Sequence, residues 1–116
     1  MIMSFEPFGR MRRALRGPAN DSGGALASYL LCYDLRDADS YAPAWQLLES
    51  WGAVPLLDSV WAVASVASAL DLRDALKAVI GPEDKIAVIE VREGCWWACE
   101  NAAREGLAWM RDRIHA

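Results

Sequence analysis

SYLLCYDL, residues 28–35, is a short apolar run that ends by delivering one carboxylate, Asp34. With the ALA that precedes it, the run reads as a first strand, rich in Leu and Tyr. A buried strand that stops at an Asp holds that carboxylate rigidly at the end of a sheet. A metal-dependent hydrolase needs such a placement, and it is equally an ordinary strand end.

Working outward, RDADSY is a polar loop. PAWQLLESW places Ala44, Leu47, Leu48 and Trp51 on one helical face. Pro43 suits the first turn of that helix and Gly52 its end. Residues 53–57 and 59–66 read as two strands or one bent strand, with Asp58 and Ser59 at the turn or bulge. Both faces of the second part are largely apolar, so it is expected to be covered on both sides or to lie in an interface. Ser68 caps a second helix, with Asp71 three residues on and Leu72, Leu76 and Val79 as its stripe; Gly81-Pro82 closes it. KIAVIEV, residues 85–91, is a β-branched strand. After the loop REGCWW, a last helix is expected over 98–114, with Ala103, Leu107, Met110 and Ile114 along one face. Cys95 and Cys99 have the spacing of one helix face.

The order β-α-β-β-α-β plus a C-terminal helix predicts an α+β, ferredoxin-like sandwich: a four-stranded antiparallel sheet with helices on one face. Such a sheet leaves its other face bare. The apolar surplus, six Trp among it, then predicts a homodimer that covers this face or pairs an edge strand.

The bulk numbers agree with one domain. The chain has 116 residues, enough for one core, and 54% hydrophobic residues exclude disorder for most of it. No apolar run is long enough to cross a membrane, and the start lacks the apolar core of a signal peptide, so a cytoplasmic location is expected. Residues 1–25 carry Gly9, Gly17, Pro18, Gly23 and Gly24 and read as a flexible basic arm, leaving 26–116 as the folded domain. Arg10, Arg12, Arg13 and Arg16 against Glu6 and Asp21 leave that arm positive, so the rest is more acidic than the total of −4. An acidic body does not hold nucleic acid through its general field; such a partner needs a local patch, a metal bridge or the arm. The three Cys lack metal-ligand spacing and the single His is His115, which leaves no zinc motif. Cys32 is expected as a core thiol.

Tyr33-Asp34, Gly52 after the first helix, Ser59-Val60-Trp61 and the run from Asp84 to Val91 together resemble the small CRISPR adaptation subunit family. Tyr41 at the opening of the first helix, the box Asp58-Ser59-Val60-Trp61, and the aromatics Trp96, Trp97 and Trp109 are similar to its SinR-like offshoot. Virulence-associated protein D, a toxin-like ribonuclease group, shares the fold. The resemblance implies a homodimer in which the Asp ending the first strand, here Asp34, faces its symmetry mate and holds Mg²⁺ for phosphodiester cleavage. Other members act as non-catalytic scaffolds. The chain departs from the family pattern at Tyr41-Ala42-Pro43, where a basic residue is usual, and this weighs against both cleavage and a DNA scaffold.

The expected site is therefore Asp34 as catalytic residue and metal ligand, with Mg²⁺ as cofactor and Arg36 and Ser59 against substrate. Asp37 and Asp39 belong to the same acidic loop, for which helix capping is the competing reading. Arg36 and Arg92 suit phosphate but also surface ion pairs. Trp96, Trp97 and Trp109 suit packing or a partner interface more than base stacking, because no Lys or Arg is interleaved. Three functions follow: a metal-dependent nuclease or a degenerate relative of one, a non-catalytic binding or assembly module, and a toxin-type ribonuclease.

Overall fold

Four strands, β1 (Ala27–Asp34), β2 (Val54–Leu57), β3 (Val60–Ser65) and β4 (Lys85–Val91), form one antiparallel sheet in the order β2-β3-β1-β4. The structure is a computed structural model that describes residues 25–115. The expected basic arm lies, except for Ala25, outside the described residues. Helix α1 (Tyr41–Ser50) joins β1 to β2, and α2 (Ala69–Lys77) joins β3 to β4. Helix α3 (Arg104–Arg113) follows the sheet. This is the ferredoxin-like arrangement that the element order predicts.

Alternation in β1 sorts its residues. Ala27, Tyr29, Leu31 and Tyr33 are buried beneath α1 and α2 with Ala44, Leu48, Leu72, Leu76, Trp61 and Val63. Helix α1 buries Ala44 and Leu48 from its expected face and stops at Gly52, whose positive φ of 77° suits glycine. Helix α2 is capped by Ser68, whose Oγ accepts the Asp71 N–H at 3.1 Å. β2 and β3 form a hairpin across Asp58-Ser59, with an irregularity in register between Pro55 and Leu57. Pro55 sits on an edge strand, the position a sheet tolerates.

The second face is not bare. Helix α3 packs across the β2 side, burying Leu56, Met110 and Ile114 together with half-buried Leu30, Val60, Val91, Trp97 and Trp109. Gly106 permits this approach: a Cβ there would lie on the Pro55 carbonyl oxygen and 2.5 Å from Leu56 Cα. Thus β3 is covered on both sides within one chain, as its two apolar faces require; Trp61, Ala62 and Val63 are all buried.

Two expectations need correction. The last helix begins at Arg104, not near 98, because Asn101 takes a positive φ of 60° and the Ala103 N–H is bound by the Leu56 carbonyl at 2.8 Å. Cys95 and Cys99 consequently lie exposed in the loop before α3, not on a helix. Cys32 faces away from α1 and α2 and is half-buried, and this burial raises its thiol pKa.

Candidate functional site

One end of the sheet gathers the end of β1, the β2–β3 turn and the start of β4. Asp34, Ser59 and the loop carrying Arg36 therefore share that end. Their surroundings differ.

Asp34 closes β1 on the face away from α1 and α2, exposed and opposite Lys85 in the register. Among the described residues its carboxylate has no hydrogen bond or ion pair. Ser59 is an exposed turn residue whose carbonyl accepts the Tyr33 N–H at 3.1 Å, so its backbone is committed to the hairpin. Arg36 is exposed, and its N–H donates to Asp84 Oδ1 at 2.6 Å. Asp37 acts as the cap it resembled, its Oδ1 accepting the Asp39 N–H at 2.9 Å and opening a short 3-10 turn, Ala38–Ser40. Arg92 pairs with Glu90 at the opposite end of β4. Trp96 is exposed in the loop after β4, whereas Trp97 donates its indole N–H to the Ile114 carbonyl at 2.7 Å.

Asp84 is the carboxylate whose part the sequence reading did not assign. Its Oδ1 accepts the Arg36 and Asp37 N–H groups at 2.6 and 3.1 Å. Its Oδ2 accepts the Ser40 hydroxyl at 2.6 Å and the Gly81 N–H at 2.7 Å. These donors, the Ser40 hydroxyl foremost, outweigh the opposing effect of burial and lower its pKa from 3.8 to about 2. Asp84 thus pins the exit of β1 to the turn that enters β4. Its available signal was local: a Gly81-Pro82 break three residues ahead and a Ser before α1.

On the helical side of the same end, the Tyr33 hydroxyl is fully engaged. It accepts the indole N–H groups of Trp45 at 2.8 Å and Trp61 at 3.1 Å, and donates to the Asp58 carbonyl at 2.9 Å. Tyr41 stands edge-on to Trp45 at 5.4 Å between ring centroids. Three points therefore orient two indoles around one oxygen.

The donor set does not make a magnesium site within one chain. Asp84 spends both oxygens on the Ser40 hydroxyl and three backbone amides, and Asp37 Oδ1 accepts the Asp39 amide, while Asp34 is a strand-end carboxylate on the other face. Among the described residues, no three His, Cys, Asp or Glu side chains gather where they would hold a metal ion. No helix of the described residues is long and apolar enough to cross a membrane.

No family model and no curated protein matches the sequence. Among solved structures the chain is similar to the crystal structure of hypothetical protein TT1823 from Thermus thermophilus, with a TM-score of 0.56 and 20% identity over 67% of this chain and 95% of that one. This likeness concerns the fold alone.

Proposed function

We propose that this chain is a non-catalytic binding and assembly module that works as a homodimer within the CRISPR adaptation subunit superfamily it resembles. The observation that carries the proposal is the uncovered half of the second face. Helix α3 shields the β2 side, but β4 is an edge strand on which Ala87 and Ile89 stay exposed, Ile89 by 49%. Leu30 and Cys32 beside them are half-buried. An apolar face next to a free edge is self-complementary under a two-fold axis. The commitment of both Asp84 oxygens to the backbone amides and the Ser40 hydroxyl supports the non-catalytic half of the reading.

The test joins mass with activity. Light scattering across a concentration series is expected to give a dimer for wild type and Asp34→Ala, and a monomer for Ile89→Asp. A monomeric wild type overturns the assembly reading. Incubation with single-stranded RNA or duplex DNA and Mg²⁺ or Mn²⁺ is expected to leave the nucleic acid intact.

A second reading rests on the unpartnered state of Asp34. Two copies related by a two-fold axis would bring two such carboxylates together, and a bound Mg²⁺ would supply an activated water for phosphodiester hydrolysis. Cleavage by wild type that disappears in Asp34→Ala would establish this reading and displace the first. Equal cleavage by both would dismiss Asp34.

A further inference from the structure

Between α1 and the β2–β3 hairpin lies an open slot of about 250 Å³, lined by Trp45, Glu49, Pro55, Leu57, Asp58 and Trp61. Its composition is unusual for a packing defect. Trp45 is 42% exposed and Leu57 48%, yet Trp45 is held in place through its N–H on the Tyr33 hydroxyl. The indole of Trp61 is fixed by the same oxygen. Two carboxylates border these walls: Glu49, one helical turn from Trp45, and Asp58, in the hairpin turn. Among the described residues neither carboxylate has an ion pair or a side-chain hydrogen bond.

We infer that this slot binds a guanidinium group, the head of an arginine side chain. Aromatic faces attract a cation through the ring quadrupole, and a planar guanidinium stacks on indole. The carboxylates narrow the choice of cation. A guanidinium offers five N–H donors that satisfy Glu49 and Asp58 while its plane lies on the ring. A quaternary ammonium offers none and would leave both carboxylates without donors. Both indole N–H groups are already spent on Tyr33, so the slot presents ring surface and carboxylate oxygens, with no indole donor for an anion. The acidic balance of the chain beyond its first residues favours a cation in the same direction. Two sources have this chemistry: Arg10, Arg12, Arg13 and Arg16 of this chain, and an arginine of another molecule.

The experiment is an NMR titration of the full chain with N-acetyl-arginine amide, following the six indole N–H signals. Saturable shifts at Trp45 and Trp61 are expected, with Trp51, Trp96, Trp97 and Trp109 unmoved. N-acetyl-citrulline amide, nearly the same shape without the charge, is expected to bind more weakly, as is tetramethylammonium. The double variant Glu49→Gln/Asp58→Asn alters exposed side chains only and is expected to weaken arginine binding roughly fivefold, the scale of two exposed charge pairs. Absence of saturable shifts both in the wild type and in the chain with Arg10, Arg12, Arg13 and Arg16 changed to Gln, equal binding of citrulline or tetramethylammonium, or unchanged affinity in the double variant overturns the inference. Repeating the titration with Arg10, Arg12, Arg13 and Arg16 all changed to Gln separates the sources. Tighter probe binding in that chain assigns the slot to its own arginines, and equal binding assigns it to another molecule.

Discussion

Gly106→Ala sets two opposing effects against each other. Gly106 lies inside α3, where alanine is favoured over glycine by about 1 kcal/mol on helix propensity. If α3 were a surface helix, the substitution would stabilise the protein. The packing argues otherwise. The new methyl would lie on the Pro55 carbonyl oxygen, 2.5 Å from Leu56 Cα and 2.9 Å from Leu56 Cβ. Two of these atoms are backbone and cannot swing aside, so α3 must retreat from the sheet by roughly 1 Å, a gap that forfeits about a quarter to a half of the contact attraction. Leu56, Met110 and Ile114 form the buried contact, each 5% exposed or less. At about 1.5–3 kcal/mol for each buried side chain, the loss is roughly 1–4 kcal/mol. Subtracting the propensity gain of about 1 kcal/mol leaves a net destabilisation of about 0–3 kcal/mol, which overlaps the range found for overpacking. Urea unfolding followed by far-ultraviolet circular dichroism measures it, with Ala108→Gly on the exposed side of α3 as a propensity reference expected to cost about 1 kcal/mol. A Gly106→Ala midpoint above wild type, by the roughly 1 kcal/mol that helix propensity alone supplies, would refute the close approach of α3 to β2.

Three further outcomes follow from the hydrogen bonds. Asp84 has its pKa lowered from 3.8 to about 2, so its contribution to stability is complete above 3.8 and is lost as pH falls towards 2. Asp84→Asn keeps an acceptor for Arg36 and Asp37 but turns an amide donor towards Gly81 and Ser40. It is expected to be less stable than wild type at neutral pH and to converge with it near pH 2, read by urea midpoints across that range. Tyr33→Phe leaves the buried Trp61 indole N–H without its acceptor and should cost about 1–3 kcal/mol, accompanied by faster exchange of that N–H. Ser68→Ala removes the cap of α2 and should cost about 1 kcal/mol in the same unfolding assay.

The strands and the first two helices were legible because their signals are local. KIAVIEV ends where its β-branched run ends, and Asp58-Ser59 turns where two apolar stretches meet. The start of α3 was not legible. Residues 98–103 have helix-compatible composition, but the bond from the Ala103 N–H to the Leu56 carbonyl, across the fold, directs the chain onto the sheet instead. Gly106 held a usable clue, since a glycine inside a helix often marks a close packing contact. At the site, Asp34 was legible as a strand end, but its isolation was not. The role of Asp84 was hidden for the same reason, because it accepts amides from residues more than forty positions away. The aromatic slot was equally hidden, because Trp45 lies off the apolar stripe of α1 and meets Trp61 only through Tyr33.

The pleat of β1 separates the two candidate chemistries. Tyr33 points towards α1 and α2 and organises the slot; Asp34, the next residue, belongs to the opposite face. Adjacent in sequence, they cannot serve one small ligand, because the sheet lies between them. A guanidinium in the slot meets Glu49 and Asp58 and leaves Asp34 untouched. A second copy seated against Ala87 and Ile89 lies beside Asp34 and leaves the slot open. The carboxylates at this end of the sheet therefore have different surroundings. Asp37 and Asp84 hold the backbone, Glu49 and Asp58 border aromatic rings, and Asp34 stands alone. The weaker arginine binding of Glu49→Gln/Asp58→Asn should accordingly come with a light-scattering mass equal to that of wild type, and Ile89→Asp should leave arginine binding unchanged. Any coupling between those two measurements would mean that the faces communicate through Tyr33 and its neighbour, against the separation the strand imposes.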